Sequence, residues 1–211
     1  MKKISFVVPV FNEEENIHEF YRRLTQVMAP LPYDYEILFI DDGSKDRTSQ
    51  LIRELAEKDP NVQGYVFARN FGHQLALTCG LDQSTGDAVI SMDGDLQHPP
   101  EMVPELLKKW EEGFEIVQTV RKATEDATWF KNITSRLYYK LINSMSEVRI
   151  TPGGSDFRLM DRKAVDALNR CQDRNIRDWS TIKGEIKGDL SGYLYKKTKR
   201  NPMILPVIME V

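Results

Sequence analysis

Four short apolar segments in the first half of the chain constrain the fold more than any other feature. They predict β-strands at Ile4–Val10, Glu36–Ile40, Val62–Ala68 and Ala88–Met92. Ile4–Val10 is nearly all apolar and β-branched, which is typical of a strand that is buried on both faces. A polar loop and a segment with helical spacing follow each of the first three strands. This alternation predicts an α/β fold, with a Rossmann-like, mostly parallel sheet and helices on both faces.

The second half of the chain has a less regular pattern. It predicts helices at Pro104–Trp110, Trp129–Met145 and Arg162–Leu168, and strands at Glu115–Val120 and Asp156–Met160. From about Gln172 the chain is charged, contains glycine and has weak periodicity, which is typical of a tail with little structure of its own. We therefore expect one domain over residues 1–170 and a divergent tail over residues 171–211 that has no transmembrane helix.

Composition excludes several classes of protein. A net charge of −3 over 211 residues does not indicate nucleic-acid binding. Cys79 and Cys171 lack the spacing of metal ligands and suit reduced thiols in a cytoplasmic protein. The short apolar run after two lysines reaches Pro9 and then three glutamates, which indicates a strand and not a signal peptide. No segment has the ~18 consecutive apolar residues of a membrane helix.

Polar residues follow each of the first four predicted strands, at the edge where such sheets bind ligands. They are Phe11-Asn12-Glu13, Asp41-Asp42, Arg69-Asn70 and Asp93-Gly94-Asp95. Phe11, after Pro9, could stack on a ring or belong to the core, and Glu13 could only complement a helix dipole. Asp41 could accept hydrogen bonds from a base or sugar, whereas a turn or cap is favoured for Asp42. Together these residues indicate a nucleotide pocket.

Asp93 and Asp95 are two residues apart on an extended chain and therefore point to the same side. Two close carboxylates repel each other unless a cation lies between them, and hard oxygen ligands suit Mg²⁺ or Mn²⁺. Gly94 would let a bulky ligand approach the backbone, and Gln97 offers a further oxygen. The alternative is a solvated turn with an aspartate cap.

Five motifs in this order resemble the family-2 glycosyltransferases of GT-A fold. They are VVPVFNEEENI, EILFIDDGSKDRT, RNFGHQLALTCGL, GDAVISMDGDLQHPPE and SDFRLMDRKAV. The resemblance covers residues 1–170 and extends to the polyprenyl-phosphate sugar transferases, a group that includes dolichyl-phosphate mannose synthase and bactoprenol glucosyltransferases. It implies a metal-dependent, inverting transfer of a hexose from a nucleotide sugar to polyprenyl phosphate, with glucose and a UDP-sugar favoured.

The resemblance also implies roles for individual residues. Those expected to bind the donor are Pro9, Phe11, Glu13, Asp41, Asp93, Gly94 and Asp95, and those expected to hold the metal are Asp93, Asp95 and Gln97. Arg121, Lys131 and Ser135 are expected to bind the acceptor phosphate, although Lys131 also suits an ordinary solvated helix face. Asp95 and Asp156 are the candidate catalytic residues, and Asp156 could be a base, an orienting group or a turn residue. His73 is a candidate for the donor-site lining, and His98 is expected to pack beside the prolines that follow it.

The resemblance ends near Arg174, where the family continues with interfacial helices and usually two membrane helices. Lys196, Lys197, Lys199 and Arg200 could contact anionic lipid at the cytoplasmic face of a membrane, or form a solvated basic tail. Two other functions stay open. One is a family-2 transferase with a saccharide hydroxyl acceptor, and the other is a nucleotide-sugar-binding module that has lost its acceptor half.

Overall fold

The computed structural model describes residues 1–120, 154–173 and 207–210. The strands are β1 Lys3–Val10, β2 Asp34–Asp41, β3 Val62–Val66, β4 Ala88–Ser91, β5 Ile116–Val120, β6 Gly154–Asp161 and β7 Val207–Glu210. The helices are α1 Ile17–Met28, α2 Thr48–Lys58, α3 His73–Gln83, α4 Val103–Glu111 and α5 Arg162–Asp173. A 3₁₀ turn, Pro100–Met102, leads into α4.

The strands form one seven-stranded sheet in the order β3-β2-β1-β4-β6-β5-β7. Strands β1 to β4 are parallel to their neighbours among these four, and β7 is parallel to β5, while β6 is antiparallel to both β4 and β5. The prediction of an α/β fold with a mostly parallel sheet is therefore confirmed. Because β6 runs the other way, its first residues lie beside the carboxyl end of β4.

Helices cover both faces of the sheet, as predicted. Successive side chains of a strand point to opposite faces, and β1 accordingly contributes Phe6 and Val8 to one core layer and Val7 to the other. The first layer packs against α1, α2 and α4, and the second packs against α3 and α5. These two layers fix the sheet edge at which the loops after β1, β2, β3 and β4 meet.

A buried carboxylate ties the opposite edge of the sheet together. Glu36 is 2% exposed and accepts hydrogen bonds from Lys3 Nζ at 2.6 Å, Ser5 Oγ at 2.6 Å and the Thr85 amide at 2.7 Å. Burial alone raises the pKa of Glu36, but these hydrogen bonds outweigh burial and lower the pKa below its ordinary value. The charge is therefore satisfied where β1, β2 and the turn before β4 meet.

The sequence pattern did not indicate the last strand. Residues Val207–Glu210 pair in parallel with β5, in the register Val117↔Val207 to Val120↔Glu210. Helix α5 also runs to Asp173, slightly beyond the predicted boundary at residue 170. Across the three ranges that the structure describes, no helix combines the length and apolar character needed to cross a membrane.

Candidate active site

A pocket of about 310 Å³ lies at the edge of the sheet where the first four strands end. Six of the predicted donor-binding residues line it: Pro9, Phe11, Glu13, Asp93, Gly94 and Asp95. The remaining lining residues are Val10, Asp42, Asn70, Gly72, His73 and Ala76. The expected convergence of four loops is therefore present, and the start of α3 forms a further wall.

Hydrogen bonds connect the loop after β1 to the loop after β2. Asn12 has a φ of 55°, a left-handed conformation that asparagine tolerates better than most residues. The Asn12 amide donates to Ser44 Oγ at 2.9 Å, and Asn12 Oδ1 accepts from the Lys45 amide at 2.9 Å. Phe11 consequently stays 41% exposed on the pocket wall. Of its two predicted roles, stacking on a ring suits this position and membership of the core does not.

Glu13 has a local partner as well as a place in the pocket. Its Oε2 accepts a hydrogen bond from Asn16 Nδ2 at 2.6 Å, next to the start of α1, and its amide donates to Thr48 Oγ1 at 2.8 Å. The residue thus connects the starts of α1 and α2. Its contact with a nucleotide stays a prediction.

The two aspartates after β2 have different surroundings. Asp41 is fully buried and lies outside the pocket lining, because its carboxylate accepts hydrogen bonds from the Ser44 amide at 2.8 Å and from the Ser49 hydroxyl. Asp42 faces the pocket and accepts from the amides of Phe71 at 2.7 Å and Gly72 at 2.9 Å. Asp42 therefore holds the loop after β3, and a direct contact of Asp41 with a nucleotide stays a prediction.

Glycine is required where the loops after β2 and β3 cross. Gly43 has a φ of 73°, and a Cβ built on it would lie 2.4 Å from the backbone carbonyl carbon of Arg69. Real side chains do not approach backbone so closely. The contact holds the loop that brings Asn70 to the pocket, at the edge where the sequence placed it.

The predicted metal ligands follow β4 directly. Asp93 Oδ1 lies 3.8 Å from His73 Nδ1, and Asp93 Oδ2 lies 3.7 Å from His98 Nδ1. Burial raises the pKa of Asp93 above its ordinary value; the carboxylates of Asp95 and Asp156 act in the same direction and the two histidines oppose it. The folded protein thus disfavours the ionised form of Asp93, and a bound cation would offset this penalty.

The donor set at this edge fits Mg²⁺ or Mn²⁺ bound together with a diphosphate. Asp95 Oδ1 accepts from the Gln97 amide at 3.0 Å, and the Gln97 side chain is exposed. Across residues 1–120, 154–173 and 207–210, no three acidic, histidine or cysteine side chains form a ready-made metal site. Mg²⁺ commonly takes only one or two carboxylates and completes its shell with substrate phosphates and water.

Asp156 lies at the start of β6, beside the end of β4. Ser91 Oγ donates to the Asp156 carbonyl oxygen at 2.6 Å, and this bond joins the two strands. Arg158, two residues along the same strand, donates to Asp156 Oδ1, while His73 Nε2 lies 3.5 Å from Asp156 Oδ2. Both carboxylate oxygens therefore have nitrogen neighbours. Arg158 was not among the predicted site residues, although its spacing of two from Asp156 was a usable signal.

His98 is 3% exposed, and its ring packs against Phe157, with ring centroids 5.6 Å apart. It therefore supports the loop after β4 from the core side. The predicted acceptor residues Arg121, Lys131 and Ser135 lie outside the described residues, as do the helix predicted at Trp129–Met145 and the basic segment near Lys196. Their roles stay predictions.

A sheet covered by helices on both faces, with an acidic pocket at its carboxyl edge, defines an α/β domain that binds its ligand at the strand ends. The chain belongs to glycosyl transferase family 2, and it matches that family over residues 5–168. This membership confirms the predicted resemblance to the family-2 glycosyltransferases.

Two curated relatives illustrate the similarity. The chain is 46% identical over 171 residues to an uncharacterized glycosyltransferase, YkcC, of Bacillus subtilis (strain 168), a match that covers 81% of this chain and 53% of the relative. It is 45% identical over 174 residues to the bactoprenol glucosyl transferase of Shigella phage SfX, covering 82% of this chain and 57% of the relative. The chain thus spans about half the length of these relatives.

A solved structure confirms the GT-A fold. Glucosyl-3-phosphoglycerate synthase from Mycobacterium tuberculosis, crystallised with Mn²⁺, UDP and phosphoglyceric acid, superposes with a TM-score of 0.58 at 20% identity. The superposition covers 100% of this chain and 69% of that chain.

The end of the chain also matches a second protein family. Residues 153–211 match the ribonuclease J C-terminal domain family, and this match overlaps the first one over residues 153–168. In the overlap, β6 and the first part of α5 pack into the sheet described above. Most of the remaining matched residues lie outside the described ranges.

Proposed function

We propose that this chain carries the catalytic domain of a metal-dependent, inverting glycosyltransferase that moves a hexose from a nucleotide sugar to polyprenyl phosphate. The single observation that carries the proposal is the pocket that joins Phe11, Asp93 and Asp95 at one sheet edge. We place the domain at residues 1–170, and the matched family ends nearby, at residue 168.

The donor is a nucleotide diphosphate sugar, and UDP-glucose is favoured. The exposed ring of Phe11 offers a stacking surface, and the volume of about 310 Å³ lies at the lower end of the range for small-molecule pockets. Asp93, Asp95 and Gln97 would hold Mg²⁺ or Mn²⁺. The metal, when bound, would neutralise the charge that develops on the leaving diphosphate. The solved glucosyl-3-phosphoglycerate synthase structure contains Mn²⁺ and UDP, which supports a UDP-sugar as the donor.

A phosphate acceptor suits the surroundings of Asp156 better than a hydroxyl acceptor. A hydroxyl needs a base that can reach its proton, whereas both oxygens of Asp156 already face Arg158 and His73. A phosphate monoester has a second pKa of about 6 and is a nucleophile at neutral pH without a base. The bactoprenol glucosyl transferase among the relatives supports a lipid phosphate. Arg121, Lys131 and Ser135 would position it.

Sugar transfer tests the proposal. The chain is mixed with radiolabelled UDP-glucose, Mn²⁺ and undecaprenyl phosphate in detergent micelles, and labelled lipid is counted. We expect transfer that EDTA abolishes and that Asp95→Ala lowers at least ~100-fold, since one electrostatic contact in a transition state contributes about that much.

One control variant and one test variant sharpen the assay. Glu57→Ala removes an exposed carboxylate from the last turn of α2, at the opposite end of that helix from the pocket loops, and should leave transfer unchanged. Asp156→Asn should weaken transfer to a phosphate but abolish transfer to a hydroxyl. Full turnover by a folded Asp95→Ala variant would contradict the proposed metal site.

A further inference from the structure

We propose that His73 is a donor-binding residue that donates a hydrogen bond to the β-phosphate of the bound nucleotide sugar. This inference rests on the proposed function and adds a residue that the metal and acceptor assignments do not include. It starts from the position of one imidazole ring between two carboxylates that have different expected roles.

The backbone holds His73 in a fixed place. It is the first residue of α3, it follows Gly72 at a φ of 103°, and its side chain is 39% exposed on the pocket wall. Asp42 anchors the approach to the helix through the amides of Phe71 and Gly72. Ala76, one turn later, is fully buried and also lines the pocket. The backbone of His73 is therefore held at the pocket wall.

Both ring nitrogens face carboxylates without forming hydrogen bonds to them. His73 Nδ1 lies 3.8 Å from Asp93 Oδ1, and His73 Nε2 lies 3.5 Å from Asp156 Oδ2. Hydrogen bonds of this kind have lengths of about 2.7–3.2 Å. An imidazole always carries at least one N–H, on Nδ1 or Nε2, so the ring offers a donor in the gap between Asp93 and Asp156 that neither carboxylate accepts at hydrogen-bond distance.

The chemistry of the two carboxylates identifies the ligand atom in that gap. Asp93 belongs to the predicted metal and diphosphate site, and Asp156 lies where transfer is expected. The group between a diphosphate site and a transfer centre is the β-phosphate, which becomes the leaving end of the nucleotide. The ring also lies at the positive end of α3, which favours a phosphate oxygen over a neutral sugar hydroxyl.

A series of shortened ligands tests the assignment by calorimetry, without relying on turnover. Wild type, His73→Ala and His73→Gln are titrated with UMP, UDP and UDP-glucose in the presence of Mn²⁺. A hydrogen bond to a charged group corresponds to a loss of about tenfold to hundredfold in affinity. We expect His73→Ala to lose that much for UDP and UDP-glucose and nothing for UMP, which has no β-phosphate. His73→Gln keeps an N–H donor and should recover part of the loss.

Two further measurements separate this role from a structural one. Gln74→Ala changes the exposed neighbouring residue of α3, which lies outside the pocket, and should bind all three ligands as wild type does. The UDP titrations are repeated in EDTA, where the loss caused by His73→Ala should persist because it does not act through the metal.

The outcomes separate this inference from the proposed function. Equal UDP binding by wild type and His73→Ala would overturn it, as would a loss that also affects UMP, that disappears in EDTA or that is confined to UDP-glucose. Wild type that binds neither UDP nor UDP-glucose with Mn²⁺ would instead contradict the proposed function itself.

Discussion

Gly94 lies between the two predicted metal ligands, and replacing it with alanine should disturb both. A Cβ built on Gly94 would lie 2.6 Å from Val10 Cγ1 and 3.5 Å from Val8 Cγ1. Carbon atoms in contact are about 3.5–4.0 Å apart, so roughly 1 Å of movement is needed. Val10 is 3% exposed and β-branched, which leaves its side chain little freedom to turn away. The loop with Asp93 and Asp95 must therefore shift.

The geometry sets the expected size of this effect. Adding a methyl group to a packed site costs about 1–3 kcal/mol of stability. Misplacing binding groups by about 1 Å can cost on the order of 100-fold in rate. Gly94 is not among the residues with positive φ, so backbone strain does not add to the cost of this steric clash. We expect Gly94→Ala to lower the free energy of unfolding by about 1–3 kcal/mol. We also expect it to weaken Mn²⁺-dependent UDP binding at least ~10-fold.

A double-mutant cycle with Val10→Ala tests the steric explanation. Val10→Ala alone should cost about 2 kcal/mol, since each buried methylene group contributes about 0.8 kcal/mol. In the double variant the two methyl groups no longer compete, so urea unfolding should show a favourable coupling of about 0.5–3 kcal/mol. Calorimetry should show a partial recovery of UDP affinity. Stability losses that simply add would refute the reasoning.

Three further predictions concern charged residues. Glu36→Gln should lower the free energy of unfolding, measured in urea at pH 7, by about 1–3 kcal/mol. Because the folded protein lowers the pKa of Glu36, this difference from wild type should be lost as pH falls below ~4. Asp93→Asn should raise the Tm of metal-free protein at pH 7, because the folded protein raises the pKa of Asp93 and its ionised form is therefore disfavoured. Asp42→Ala should speed hydrogen exchange at the amides of Phe71 and Gly72, which lose their acceptor.

Each of these predictions has a contradicting outcome. A Glu36→Gln deficit that stays the same at pH 7 and pH 3 would show that the charge of Glu36 is not what stabilises the sheet edge. A lower Tm for metal-free Asp93→Asn would show that ionised Asp93 is well satisfied without a cation. Unchanged exchange at both amides in Asp42→Ala would mean that other contacts hold the loop after β3.

The sequence predicted those parts of the site that depend on local pattern. Apolar runs located strands β1 to β4, and the parallel arrangement then placed Phe11, Asp93 and Asp95 at one edge. The family motifs also brought Asp156 to the site. These predictions needed only local segments and their order along the chain.

The sequence did not show which carboxylate faces which partner, since that depends on strand order. His73 lies beside Asp156 only because β6 lies antiparallel beside β4, and no local pattern carries that order, whereas Arg158 lies on the same strand as Asp156. The choice between Asp41 and Asp42 depends on where β2 ends. The strand at Val207–Glu210 was missed because four residues give no periodicity to recognise.

The central claim is that Asp93 and Asp95 bind a metal together with the diphosphate of a nucleotide sugar. Calorimetric titration of the purified chain with UDP-glucose, GDP-mannose and the free nucleotides, first with Mn²⁺ and then with EDTA, tests this most directly. We expect only the ligands that share one base to bind, with uridine favoured. We expect EDTA to weaken the binding of those that carry a diphosphate at least ~10-fold. Binding that is indifferent to EDTA, or no binding by a chain that circular dichroism shows to be folded, would contradict it.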